Sequence, residues 1–198
     1  MSGSSVTGLF FGSFNPVHVG HMVMANYFVT TAAMDQVWFV VSPHNPLKEL
    51  HQLASESHRL EMVRIAIDDD PRFRAVDIEF RMPKPSYTID TLMRLQEKYA
   101  NRKFALIMGG DNLAVFHKWK NPEAILEQFR VYVYQRPGVD GGYYANHPSI
   151  VQVSPPQMAI SSSYIRQGIA AGHDMRHTMP RGVGEYINLN NLFKPRTV

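Results

Sequence analysis

Short apolar runs alternate with amphipathic segments along the whole of this 198-residue chain, and that alternation constrains the fold more than any one motif does. Val6 to Gly12 (VTGLFFG) is apolar at successive positions and closes on glycine, the pattern of a strand buried in a parallel sheet. From Val19 to Ala33 the apolar residues Val19, Met22, Val23, Phe28, Val29 and Ala32 recur at helical spacing. Gln36 to Val41 (QVWFVV) reads as a second strand. Glu56 to Asp69 reads as a helix with Leu60, Val63 and Ile67 on one face, and Pro71 follows its end. Phe73 to Phe80 is expected to be extended. Ser86 to Tyr99 is expected to be helical, with Ile89, Leu92, Met93 and Leu95 as its buried stripe. Phe104 to Met108 (FALIM) is a core strand running into Gly109-Gly110-Asp111. Asn121 to Phe129 is a helix opened by Asn-Pro, and Arg130 to Tyr134 is a further strand. Arg136 to Pro148 is the longest loop, and Ser161 to Ala171 and Arg181 to Leu189 are closing helices. Strands alternating with helices predict an α/β domain with a parallel sheet covered by helices on both faces. Ligands of such sheets sit beyond the carboxyl ends of the strands, where the strand order switches direction. The segments after the first strand, the second strand and FALIM are therefore the places to look.

The length suits one domain over residues 1–198, with 155–198 as its C-terminal helical part. With 44% hydrophobic residues it can bury a sizeable core. No stretch stays apolar for the ~18 residues of a membrane span. Met1 to Ser5 carries neither the charged nor the apolar region of a signal peptide, so the expected compartment is the cytoplasm. The absence of cysteine excludes disulfides, thiol catalysis and thiolate metal sites. The 20 basic residues against 17 acidic ones give +3, but the longest basic clusters are pairs such as Arg102-Lys103. Dispersed charge of that kind fits a small anionic substrate better than nucleic acid. Oligomeric state is left open, a homo-oligomer included.

Directly after the first strand stands Gly12-Ser13-Phe14-Asn15-Pro16-Val17-His18-Val19-Gly20-His21. Gly12 and Gly20 allow backbone to approach a ligand closely. The helix beginning near Val19 points its free N–H groups and positive dipole end at this loop, which makes an anion site. His18 and His21, three apart, share one face of the helix start and could donate hydrogen bonds to a polyphosphate. A His-x-x-His pair could also ligate a metal, but neither a third ligand nor a carboxylate stands nearby in the sequence. Late in the chain, Ile160-Ser161-Ser162-Ser163-Tyr164-Ile165-Arg166 reads as a serine cap followed by a helix. A cation on the N-terminal part of a helix opposes the dipole, unless a phosphate shares that end. A solvated arginine on a capped surface helix is the alternative.

Together these segments resemble the two signatures of the nucleotidyltransferase superfamily related to class I aminoacyl-tRNA synthetases. Many members carry Asp where Asn15 stands, and no catalytic role is assigned to Asn15. The middle of the chain narrows the resemblance. Pro85-Ser86-Tyr87-Thr88-Ile89-Asp90-Thr91-Leu92, Gly109-Gly110-Asp111-Asn112-Leu113, Phe116-His117-Lys118-Trp119 and Gln135-Arg136-Pro137-Gly138 resemble the bacterial nicotinate-nucleotide adenylyltransferase family. The likeness runs from Leu9 to near Phe193.

The resemblance implies a Rossmann-like doubly wound parallel sheet, the nucleotidylyl transferase fold. It implies an enzyme that joins ATP to nicotinate mononucleotide, giving nicotinate adenine dinucleotide and pyrophosphate for NAD biosynthesis. His18, His21 and Arg166 are the implied catalytic residues. ATP binding is implied for Gly12, Ser13, Phe14, His18, His21, Gly109, Asp111, Ile160, Ser161, Ser162 and Arg166. Gly109 and Asp111 would hold the adenosine ribose, although Asp111 could equally cap a helix from Asn112. Nicotinate mononucleotide binding is implied for His44, Lys48, Tyr87, Thr88 and Trp119. Trp119 would stack on the pyridine ring, where an isolated Trp is more often core. Lys48 would meet a phosphate, with a solvated lysine as the alternative.

The substrate phosphate is already ionised, so no general base is needed and alignment with charge stabilisation should carry catalysis. Mg2+ should arrive with ATP, held by phosphates and water rather than by a protein metal site. Neither nucleic acid nor membrane is an expected partner. Two kinds of rival remain. One is another adenylyltransferase or cytidylyltransferase of the superfamily, such as a pantetheine-phosphate adenylyltransferase; the other is a non-catalytic nucleotide-binding sensor. The PSYTIDTL and FHKW segments argue against the first, and intact His18, His21, Ser161 and Arg166 against the second.

Overall fold

A computed structural model of the chain describes residues 6–32, 34–43, 53–135 and 142–195. Strands β1 (Val6–Gly12), β2 (Gln36–Val41), β3 (Phe73–Val76), β4 (Lys103–Gly109), β5 (Arg130–Tyr134) and β6 (Ile150–Val153) pair in parallel. Their order is β3-β2-β1-β4-β5-β6. Successive side chains of a strand point to opposite faces, so an apolar run supplies two cores at once. Leu9, Trp38 and Leu106 enter one buried cluster, while their neighbours Phe10, Phe39 and Ile107 enter the other. Full burial of a large apolar side chain contributes roughly 1.5–3 kcal/mol, so these adjacent pairs secure both faces.

Helices α1 (Val19–Thr30), α2 (Glu56–Ile67), α6 (Ser162–Ala170) and α7 (Val183–Leu189) supply Phe28, Leu60, Val63, Ile165, Val183 and Ile187 to the Phe10 side. Helices α3 (Thr88–Lys98), α4 (Gly110–Ala114) and α5 (Pro122–Gln128) supply Ile89, Leu92, Leu95, Leu113 and Ile125 to the Leu9 side. The α/β expectation of a parallel sheet with helices on both faces therefore holds. The chain winds outward from β1 in one direction to β3, then returns to start β4 on the other side of β1. The switch point lies between the carboxyl ends of β1 and β4.

Three stretches differ from expectation. The extended segment from Phe73 stops at Val76, because Ile78–Arg81 turns into a 3-10 helix that buries the Glu79 carboxylate. Helix α3 starts at Thr88 rather than Ser86, with Tyr87 extended as its N-cap. Strand β6 went unrecognised: its four residues, Ile150-Val151-Gln152-Val153, are too few to show a period, and only pairing with β5 defines them. Among the described residues no helix is long and apolar enough to cross a membrane.

Candidate active site

The β1–α1 loop is built from inside out. Phe14 adopts a left-handed backbone conformation (φ 45°), costly for a residue with a side chain, and its ring is buried edge-on to His21 and Phe39. A Cβ on Gly12 would stand 2.9–3.1 Å from that ring, which is why glycine ends the strand.

Three donors from elsewhere then grip the loop by its carbonyls. Arg59 of α2 donates through Nη1 to Ser13 O at 2.9 Å. Arg166 of α6 donates through Nη1 to Asn15 O at 2.9 Å, and the Ser162 hydroxyl donates to Pro16 O at 2.9 Å. Asn15 itself is buried, its Oδ1 accepting the Ala54 N–H at 3.0 Å. An Asp would offer the same acceptor to the Ala54 N–H.

His18 and His21 end up stacked, with ring centroids 3.7 Å apart and planes 28° off parallel. The His18 N–H donates to His21 Nδ1 at 3.2 Å, so a neutral His21 carries its proton on Nε2 and presents it as a donor. His18 is only 7% exposed. A Cβ at Gly20 would stand 2.9 Å from Ile160 Cγ2 and 3.0–3.1 Å from the His18 ring. Gly20 thus lets the segment before α6 close against the histidine pair. Ser161 is the N-cap of α6 and accepts the Tyr164 N–H at 3.2 Å. Burial draws the Arg166 guanidinium below its ordinary pKa. The candidate residues Gly12, Ser13, Phe14, His18, His21, Ile160, Ser161, Ser162 and Arg166 are therefore carried by one assembly of two loops and two helix starts.

Across the switch point, Asp111 lies in the first turn of α4, whose N-cap is Gly109. It does not cap a helix from Asn112, so that alternative fails. Its carboxylate instead folds back over Gly109, where a Cβ would collide with Oδ1, and the carboxylate group is exposed for a ligand.

Tyr87 and Thr88 open α3, and Lys120, the residue after Trp119, reaches that helix start. No side chain caps this helix, and the first helical bond runs from the Thr91 N–H to Tyr87 O. Lys120 donates to both Asp90 carboxylate oxygens at 2.8 and 3.0 Å and stands 4.9 Å over the Tyr87 ring. Trp119, which precedes that tether, is half-buried against Phe116. His44 and Lys48 lie outside the described residues.

Sequence reasoning missed two buried charges. Arg59 is fully buried and reaches Ser13 O, Ser42 O and Ala54 O. Glu79 receives the Thr91 hydroxyl at 2.7 Å and the Ser86 hydroxyl at 3.3 Å. Burial raises its pKa above the usual carboxylate range, and hydrogen bonds from Thr91, Ser42 and Ser86 pull it back. Neither stands out locally, since α2 also carries Glu56, Ser57, His58, Glu61 and Arg64, and the turn around Glu79 also carries Arg81.

The signature of the cytidylyltransferase-like family matches residues 9–168. A probable nicotinate-nucleotide adenylyltransferase of Flavobacterium johnsoniae is 46% identical over 189 residues, covering 94% of this chain and 98% of its own. A chain of the same name from Cytophaga hutchinsonii is 46% identical over 180 residues, covering 91% and 94%. In fold, the chain is similar to the Plasmodium falciparum nicotinic acid mononucleotide adenylyltransferase solved with NaAD, at a TM-score of 0.78 and 18% identity. That likeness covers 96% of this chain and 97% of the other.

Proposed function

Since the chain belongs to the nicotinate-nucleotide adenylyltransferase branch of the cytidylyltransferase-like family, we propose how its residues divide the work of adenylyl transfer. The reaction joins ATP and nicotinate mononucleotide into nicotinate adenine dinucleotide with release of pyrophosphate, a step of NAD biosynthesis. A 5′-phosphate oxygen of the mononucleotide bonds to the α-phosphorus of ATP, and the bond from that phosphorus to the bridging oxygen breaks. Negative charge grows on the departing pyrophosphate. Catalysis then means donors already in place where that charge appears.

The observation that carries the assignment is the stacked His18–His21 pair, fixed at the start of α1 by the hold of Arg166 and Ser162 on the loop. Its imidazole N–H groups and the Arg166 guanidinium serve as donors to the phosphates. Gly12, Ser13 and Phe14 line the phosphate side with Ile160, Ser161 and Ser162, and Gly109 with Asp111 takes the adenosine ribose. Thr88 and Tyr87 present backbone N–H groups to the nicotinate carboxylate, Trp119 stacks on the ring, and the family resemblance adds His44 and Lys48 to the residues for that substrate.

A divalent cation, Mg2+, comes with ATP. A cation carried in on ATP takes phosphate oxygens and water as its ligands. Bound there, the ion would neutralise phosphate charge. Continuity of α6 and α7 with the main core through Ile165, Val183 and Ile187 supports reading 1–198 as one working unit. We read its site of action as the cytoplasm and its partners as small molecules rather than nucleic acid or membrane, a reading supported by dispersed charge whose longest basic clusters are pairs.

Purified protein given ATP, magnesium and nicotinate mononucleotide should form pyrophosphate and dinucleotide in equal amounts. Folded, ATP-binding protein that makes neither would defeat the assignment, and activity only with pantetheine phosphate would transfer it elsewhere in the superfamily. Gly20→Ala should lower kcat by about tenfold, because a methyl group there displaces His18 by a fraction of an ångström. Unchanged kcat would mean that Ile160, not His18, gives way.

A further inference from the structure

Arg59 sits where burial and the helix dipole both disfavour a cation. It is 0% exposed. It stands one turn from the N-terminus of α2, where the helix dipole disfavours a cation. No carboxylate among the described residues forms an ion pair or hydrogen bond with it. Glu56, the acid whose charge reaches it, is bound to Lys84 at 2.6 Å. Burial pulls its pKa down to about 10, still far above neutrality, so the charge persists.

Its hydrogen bonds explain what the charge is for. Nε donates to Ala54 O at 3.0 Å, and Nη1 donates to Ser13 O at 2.9 Å and Ser42 O at 2.6 Å. These carbonyls belong to the turns after β1 and β2 and to the entry into α2, so one guanidinium joins the three segments under the phosphate side. Its buried Nη2 has no hydrogen-bond partner among the described residues. A cation so costly to bury is retained where an anion balances it in use.

We propose that Arg59 is a positioning residue for ATP: it locks the turns after β1 and β2 by their carbonyls, and its buried charge is balanced by the bound polyphosphate. This rests on the adenylyltransferase assignment, and the test separates the two. Wild-type turnover checks the assignment. Arg59→Lys keeps the charge and three donors, whereas Arg59→Gln keeps two donors and loses the charge. Calorimetry with inorganic pyrophosphate and with ATP, alongside KM and kcat, should show Arg59→Gln binding both anions about tenfold more weakly, with KM for ATP rising in step. Arg59→Lys should recover most of that affinity even where its melting temperature falls as far as that of Arg59→Gln. A purely structural clamp predicts the two variants alike in anion affinity, and that result overturns the proposal. Should neither variant fold, the wild-type protein decides. The slowly exchanging Nε–H resonance of the buried guanidinium should shift on saturation with pyrophosphate, and an unmoved resonance overturns the proposal equally.

Discussion

Replacing His18 with alanine should lower kcat by roughly 10²–10³, the usual effect of deleting one donor to a transition-state charge. The ring lies where the β1–α1 loop meets the segment before α6, stacked on His21 and held from behind by Gly20. Charge appears on pyrophosphate only as the bond to the α-phosphorus breaks, so the loss should fall on kcat more than on the KM for ATP. The sequence alone implies that a glycine-rich ligand loop is not core, and hence that the variant stays as stable as wild type. The structure corrects this, because a ring 7% exposed and stacked on a neighbour leaves a gap when removed. A fall in melting temperature should accompany the kinetic loss. Kinetics are therefore measured well below the melting point, with ATP binding checked by calorimetry. Near-normal kcat in folded protein would remove His18 from the reaction. Because the His18 and His21 rings are stacked on one another, losses from the two single variants should not add in the double variant.

What could be read from the sequence was what local chemistry determines. Buried parallel strands need runs such as VTGLFFG and FALIM, whichever helices cover them, so the sheet was legible; the strand order, and with it the choice of β1 and β4 as the switch point, came only from the pairing. The histidine pair was legible because glycines and imidazoles in one short segment have few other uses. Arg59 and Glu79 were not, since three of their partners, Ser13, Ser42 and Thr91, lie between 12 and 46 residues away. Nothing in their own neighbourhoods records those contacts. Nor was the capping of α4: Gly109-Gly110-Asp111 is compatible with an Asp cap, and only the start of the helix at Gly110, with Gly109 as its N-cap, decides against it. Strand β6 illustrates the same limit, as pairing with β5 rather than its own pattern makes it a strand.

The acid mononucleotide should be used in strong preference to its amide, and the reason lies in how rigidly α3 begins. The Thr88, Ile89 and Asp90 N–H groups precede the first helical bond, and no side chain caps them. A carboxylate would offer these donors two anionic acceptors and match the positive end of the dipole. A carboxamide offers one neutral acceptor and turns an NH₂ toward further donors. The turn cannot easily rearrange to suit it. Ser86 and Thr91, on either side of the helix start, both donate to the buried Glu79, and Lys120 ties Asp90 to the strand-side loop. The mismatch therefore persists, at a cost on the order of 1–3 kcal/mol, or about tenfold to more than a hundredfold in kcat/KM. Trp119, half-buried against Phe116 beside that tether, would stack on either ring. Trp119→Ala should accordingly weaken both substrates while largely preserving their ratio. The measurement is kcat/KM for the two mononucleotides side by side, in wild type and in Trp119→Ala. Equal values in wild type would mean that the α3 N-terminus does not face the pyridine substituent. A ratio that collapses only in Trp119→Ala would move the discrimination from the backbone donors to the indole.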